Sequence, residues 1–181
     1  KYPDLKLLLY ARSGSAFMLP GLLSTIPNIG MNDREADELA RSTGDAWFAY
    51  DTYASFLRGF GMYVFGIDEK HFQDVCNIYT KDKLSGDEMK EVVEKYKNVI
   101  HAFGHGGVIP EAMIDQVIMA MEAVYVSWDA PDARKYRDDH KISRRWGTVV
   151  ILQKGVFGNV GETRDGKISG SGSASLMTTP D

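Results

Sequence analysis

"YARSGSAFMLPGLLSTIPNIGMND", Tyr10–Asp33, is the stretch on which the fold turns. An arginine leads into a run of Gly, Ser and Pro that carries Phe17, Met18, Leu19 and Leu22, although an ordinary connection in water is polar. Before it, "LKLLLYA" (Leu5–Ala11) is a short apolar run ending at the Gly/Ser cluster, which predicts a buried strand feeding a loop. After it, "NDREADELARSTG" offers Asn32 or Asp33 as N-cap, acidic residues in the first turns and Gly44 as a C-terminal stop, and so predicts a short helix. Strand, apolar glycine-rich loop and helix in succession suggest a loop that covers something.

Further along, "DAWFAYDTYASFLRGFGMYVFG" spaces Trp47, Phe48, Tyr50, Phe56, Leu57, Phe60 and Val64 as an aromatic-rich helix, expected to be interrupted or ended by Gly59 and Gly61. "SGDE" (Ser85–Glu88) has capping-box spacing, and Met89, Val92, Val93, Tyr96, Val99, Ile100 and Phe103 line one face of the helix it opens. Pro110 is expected at the start of another helix, striped by residues from Met113 to Trp128. Past Trp146, "GTVVILQKGVFG" is β-branched without helical period, "RDGK" (Arg164–Lys167) has the Asp-Gly pair of a tight hairpin, and the tail is rich in Gly, Ser and Thr. The expected organisation is α+β, with β-rich ends (1–46 and 146–181) flanking a helical part (47–145) and no internal repeat.

With 181 residues, 44% of them apolar and 25% charged, the chain is large enough for one good core or two small subdomains, and is not disordered. A net charge of -4 gives no general attraction to nucleic acid or anionic membrane. No apolar run reaches the roughly 18 residues that a membrane span needs. The lone Cys76 cannot form an internal disulfide, which fits an intracellular, reducing compartment, and its helical setting predicts a buried, inert thiol. Because the chain begins at Lys1, a preceding piece is expected.

"RSGSAFMLPGLLSTIPNIGMND", "FAYDTYASFLRGFG", "SWDAPDARKYR" and "WGTVVILQKGVFGNVG" resemble, in order and spacing, the nucleotide-binding domain of the pyruvate, phosphate dikinase family. Several separated blocks in order carry more information than any single glycine-rich loop. The resemblance, from about Tyr10 to Gly161, implies an ATP-grasp-like fold in which ATP lies between two α+β parts under a mobile glycine-rich loop. The intact family enzyme converts ATP, phosphate and pyruvate to AMP, diphosphate and phosphoenolpyruvate through a phosphohistidine on a separate domain. Residues Gly14 to Thr25 would then form the phosphate lid, with Gly14, Gly21 and Thr25 orienting phosphate and with Met18, Leu19 and Leu22 excluding water. Arg12 matches the arginine that contacts phosphate, a role suited to a permanently charged guanidinium; the competing reading is a surface salt bridge at a strand end. Gln153 matches a glutamine near the nucleotide, or is a strand amide bonded to neighbouring backbone. Trp128 and Trp146 match family positions but suit packing, and Tyr136 and Arg137 are read as structural.

Other features depart from the family pattern. Ala16 replaces a basic residue, Ser24 an aspartate, an insertion occupies Arg164 to Ser169, and no arginine stands near Met177. The family's Gly-Gly-Lys segment would lie before residue 1, and the magnesium ligands and a later glutamine beyond Asp181. His101 and His105 have i, i+4 spacing, but "HGG" should break the helix and no third ligand follows, so no metal site is expected in this chain. Three readings stay open: part of a working dikinase using ATP and magnesium, a degenerate subunit with a structural role in a larger assembly, or a nucleotide-binding module without transfer. The expected partners are nucleotide and either the remaining domains of a parent protein or other subunits.

Overall fold

The computed structural model describes residues 7–17, 19, 22–79 and 84–155. Within them the chain is α+β, with a three-stranded antiparallel sheet and six helices. The strands are β1 (Leu9–Ser13), β2 (Thr25–Ile29) and β3 (Val150–Lys154), in the order β2-β1-β3, so the first and last described strands are neighbours in one sheet. The helices are α1 (Asp33–Thr43), α2 (Ala46–Tyr63), α3 (Glu69–Cys76), α4 (Gly86–Phe103), α5 (Met113–Trp128) and α6 (Pro131–Asp139). None is long and apolar enough to cross a membrane. The hairpin expected at Arg164–Lys167, the insertion and the Met177 region lie outside the described residues.

Local signals set most helix boundaries. Asn32 caps α1 by accepting the Glu35 N–H at 2.9 Å, and Gly44 ends it at φ 70°, in the left-handed region that favours glycine. Ser85 and Glu88 complete the reciprocal capping box at the start of α4. Pro131 opens α6, where its missing N–H costs no hydrogen bond. Pro110, by contrast, precedes α5 by three residues; its carbonyl accepts from Gln116 Nε2 at 2.7 Å.

Two further expectations are corrected. The first strand begins later than the apolar run and continues into the Gly/Ser cluster, because β3 pairs with β1 as far as Ser13. Helix α2 runs unbroken through Gly59 and Gly61. Both glycines answer to packing: a Cβ at Gly59 would lie 2.7 Å from Pro27 Cδ on β2, and one at Gly61 would lie 2.5 Å from Phe72 Cζ on α3. Close approach of neighbouring elements therefore outweighs the helix propensity that glycine sacrifices.

The larger of two buried clusters holds the sheet and α1 to α5 together. Ala11 and Ile26, cross-strand partners, are buried with Val117, Ala120 and Val124 of α5, while Phe56, Leu57 and Phe60 of α2 meet Val92, Val93 and Ile100 of α4. The buried Gln116 pins this arrangement. Its Oε1 accepts the Gly30 N–H at 2.8 Å, and its Nε2 donates to the carbonyls of Met31 and Pro110. One amide thus ties α5 to the turn after β2 and to its own entry loop.

Gln116→Ala is expected to cost about 3 kcal/mol or more, because two buried backbone groups and the half-buried Pro110 carbonyl lose their partner and a cavity remains. Gly59→Ala should also lower stability in chemical denaturation. Overpacking against the Pro27 ring costs about 1–3 kcal/mol, more than the roughly 1 kcal/mol of helix propensity regained.

Candidate nucleotide-binding face

The register of β1 decides which side chains meet. Arg12 lies opposite Thr25 of β2 and Ile151 of β3, and Tyr10 lies opposite Gln153. Directly opposed residues point to the same side of an antiparallel sheet, and residues two apart on one strand do likewise. Tyr10, Arg12, Thr25, Ile151 and Gln153 therefore share one face, while Ala11 and Ile26 share the other, packed in the core with α5. Three of the sequence-predicted residues, Arg12, Thr25 and Gln153, come together in this way from parts of the chain about 140 residues apart at the extreme.

Arg12 is exposed and has no ion-pair partner among the described residues, so the surface salt bridge weighed against the phosphate role does not form there. Gln153 is likewise exposed, with no side-chain hydrogen bond to a described residue. Tyr10 is half-buried, its ring beside the Cα of Gly155, and burial raises its hydroxyl above the usual tyrosine range. The face carries one permanent positive charge, two hydroxyls (Tyr10 and Thr25), an amide and the apolar Ile151, and no carboxylate. This donor set suits an anion and does not suit a divalent cation. Among the described residues, no cluster of three His, Cys, Asp or Glu could hold a metal.

The glycine-rich loop is placed as follows. Gly14 continues the pairing, its N–H donating to the Val149 carbonyl at 2.8 Å. A Cβ on Gly14 would lie 2.5 Å from Ile151 Cδ1 and 2.9 Å from Val149 Cγ2, so sheet packing alone gives a reason for glycine here. Ser15 forms a local turn, its hydroxyl donating to the Phe17 carbonyl and accepting the Phe17 N–H. Beyond it the apolar side chains turn to the helices. Leu19 packs with Trp128 and Ala133, flanked by Phe17, Leu22, Leu23, Ala130 and Tyr136, and Phe17 meets Trp146 edge-on at 5.4 Å. Gly21 and Met18 lie outside the described residues.

Several residues fall where sequence alone did not put them. Cys76 is exposed rather than buried, because it ends α3; its thiol still bonds the Tyr96 hydroxyl at 3.0 Å. Burial, helped by that bond, pushes the Tyr96 hydroxyl up. Tyr10 and Ile151 join the candidate face without having been singled out. The available signal was the two-residue alternation running back from Arg12, which becomes informative only once the cross-strand register is known.

Comparison with known proteins adds ancestry to this geometry. No protein-family model matches the chain. It is 37% identical over 164 residues to a pyruvate, phosphate dikinase of Clostridium symbiosum, an alignment covering 87% of this chain and 19% of that protein. It is 38% identical over 163 residues to the enzyme of the same name from Giardia intestinalis, covering 86% and 18%. With the chloroplastic form of Flaveria trinervia it shares 40% identity over 168 residues, covering 89% and 17%. The chain thus spans about a fifth of the length of the curated relatives it matches.

Because Arg12 is exposed and unpaired among the described residues, Arg12→Ala is expected to change unfolding free energy by no more than about 0.5 kcal/mol. A loss well beyond that in equilibrium denaturation would show that the arginine serves the fold.

Proposed function

This chain belongs to the pyruvate, phosphate dikinase family, and on that premise we propose that it forms part of an ATP-binding, ATP-grasp-like domain in which Arg12 contacts the nucleotide phosphates. The observation that carries the proposal is the shared face of Arg12, Thr25 and Gln153, with its guanidinium exposed and free of a described carboxylate. A guanidinium presents several donors in a rigid fork and stays charged at every working pH, which suits the spread of negative charge on a phosphoryl group in transfer. The Thr25 hydroxyl offers a neutral hydrogen-bonding group on the next strand. Gln153 offers an amide that can donate and accept at the other side of Arg12. Family likeness extends this to phosphoryl transfer toward a phosphohistidine carrier. Magnesium would supply charge neutralisation in such a transfer; among the described residues no group of three or more His, Cys, Asp or Glu could hold a metal ion, and the roles given to Arg12, Thr25 and Gln153 do not depend on one.

A second reading has its own support. Among the described loop residues, Leu19 packs on Trp128 and Ala133 and Phe17 on Trp146, and Gly14 answers to sheet packing, so the loop has a structural use that requires no ligand. Ala16 and Ser24 also lack the polar groups of the family pattern. On this reading the chain is a degenerate subunit or a regulatory nucleotide-binding module. Either way the chain is expected to be covered by further domains or subunits. Helix α5 is apolar on nearly all sides, and Ile114, Ile118, Tyr125 and Val126 stand exposed on it. An intracellular, reducing compartment fits the single free thiol.

In the full-length protein, Arg12→Ala is expected to lower phosphoryl transfer about a hundredfold or more while leaving the melting temperature unchanged. Titration with ATP should stabilise the native state by about 2.7 kcal/mol at a hundred times Kd. Absence of any ATP-dependent shift at millimolar concentration would leave the structural reading; a shift without transfer would leave the regulatory one.

A further inference from the structure

Arg137 of α6 is 4% exposed, an unusual place for a guanidinium, and the candidate face makes no use of it. Its Nη1 donates to the Trp128 carbonyl, at the C-terminal end of α5. Its guanidinium carbon lies 4.2 Å from the centroid of the Trp128 ring, and Nη2 reaches Asp129 Oδ1 at 3.5 Å. One planar group therefore fixes both backbone and ring of the same tryptophan. A lysine ammonium, a point charge on a flexible stem, could satisfy one of these contacts but not both in that plane. The Nε donor is buried with no acceptor among the described residues, a cost of the kind accepted where orientation is required.

The ring so held forms the floor under Leu19, which is 5% exposed against Trp128 and Ala133. Leu19 belongs to the connection that leaves β1 after Ser13, next to Arg12, and returns at Thr25, the residue opposite Arg12. At the returning end, the Ser24 N–H donates to the hydroxyl of Ser127, beside Trp128 on α5. Both the loop's apolar contact and its return to the sheet thus rest on the last turn of α5, which Arg137 anchors.

We infer that Arg137 is a positioning residue for the glycine-rich loop, acting through Trp128 on Leu19 and thereby on the segment that joins Arg12 to Thr25. Its consequence for nucleotide rests on the reading of Arg12 given above; its control of the loop does not. A purely structural arginine would steady the α5–α6 corner and leave the loop alone.

The test is a double-mutant cycle of Arg137→Lys and Leu19→Ala in the full-length protein, with two readouts. Without nucleotide, hydrogen exchange at the Leu22–Thr25 amides should accelerate about fivefold or more in either single variant and no further in the double, while amides in α2 and α4 keep their rates. With ATP, each single variant should weaken binding by a similar factor, again without addition in the double. Additive effects, or loop exchange that rises only in step with global unfolding, would overturn the inference. If Arg137→Lys does not fold, Trp128→Leu serves in its place: it keeps the carbonyl that Arg137 holds but removes the ring, and an unchanged loop in that variant would equally overturn it. Coupled loop exchange in a protein that binds no ATP would refute the nucleotide reading and leave the positioning role standing.

Discussion

The pairing of β1 with a neighbour on each side is the constraint from which the other features follow. Because side chains alternate along a strand, the register that opposes Ala11 to Ile26 and Leu152 also opposes Arg12 to Thr25 and Ile151. The first set is the apolar one, and packing of Ala11 and Ile26 beneath α5 fixes it energetically; a slip of one residue would bury Arg12 and expose Ala11. The polar character of the candidate face is thus secured from its opposite side, by hydrophobic burial on the order of 25 cal/mol per Å².

The register is defended at both ends of the sheet. At one end, Asn28 takes a positive φ of 55° and its amide donates to the Thr52 carbonyl of α2, while the pairing of β1 with β2 shifts between Leu9 and Ala11. Such an irregularity bends an edge strand and pins its alignment. Gln116 then holds the turn that follows. At the other end, Gly14 and Val149 extend the β1–β3 ladder, and the loop beyond is seated on the last turn of α5. Helix α5 therefore reads both ends of the β1–β2 unit, through Gln116 near its start and Ser127 and Trp128 at its finish.

This arrangement changes the meaning of the loop's composition. Apolar residues in a glycine-rich connection suggested a cover for a ligand, yet Phe17 and Leu19 already have partners in Trp146 and Trp128. Trp128, read as a packing group, is buried, whereas Trp146 is half-exposed and meets Phe17 edge-on; Arg137, read as structural, contacts both the ring and the carbonyl of Trp128. Ancestry in the pyruvate, phosphate dikinase family and a local structural explanation for individual residues coexist here. Gly14 matches the family loop and is also the residue that Ile151 and Val149 leave room for.

What the sequence determined by itself was whatever depends on neighbours a few residues away: the caps at Asn32 and Ser85, the stop at Gly44, and the buried face of α4 made by Met89, Val92, Val93, Tyr96 and Ile100, whereas the stripe expected on α5 lies partly exposed, at Ile114, Ile118 and Tyr125. The motif blocks also carried the ancestry, because their order survives divergence. Only the tertiary structure decided that α2 passes through Gly59 and Gly61, since the reason lies on Pro27 and Phe72 in other elements. It alone brought Gln153 to the strand beside Arg12, exposed Cys76 at a helix end, and set Leu19 against a tryptophan more than a hundred residues away. Helix caps and periodicity are local and leave their mark in consecutive residues, whereas cross-strand register and close packing are bargains between distant segments that neither segment records alone.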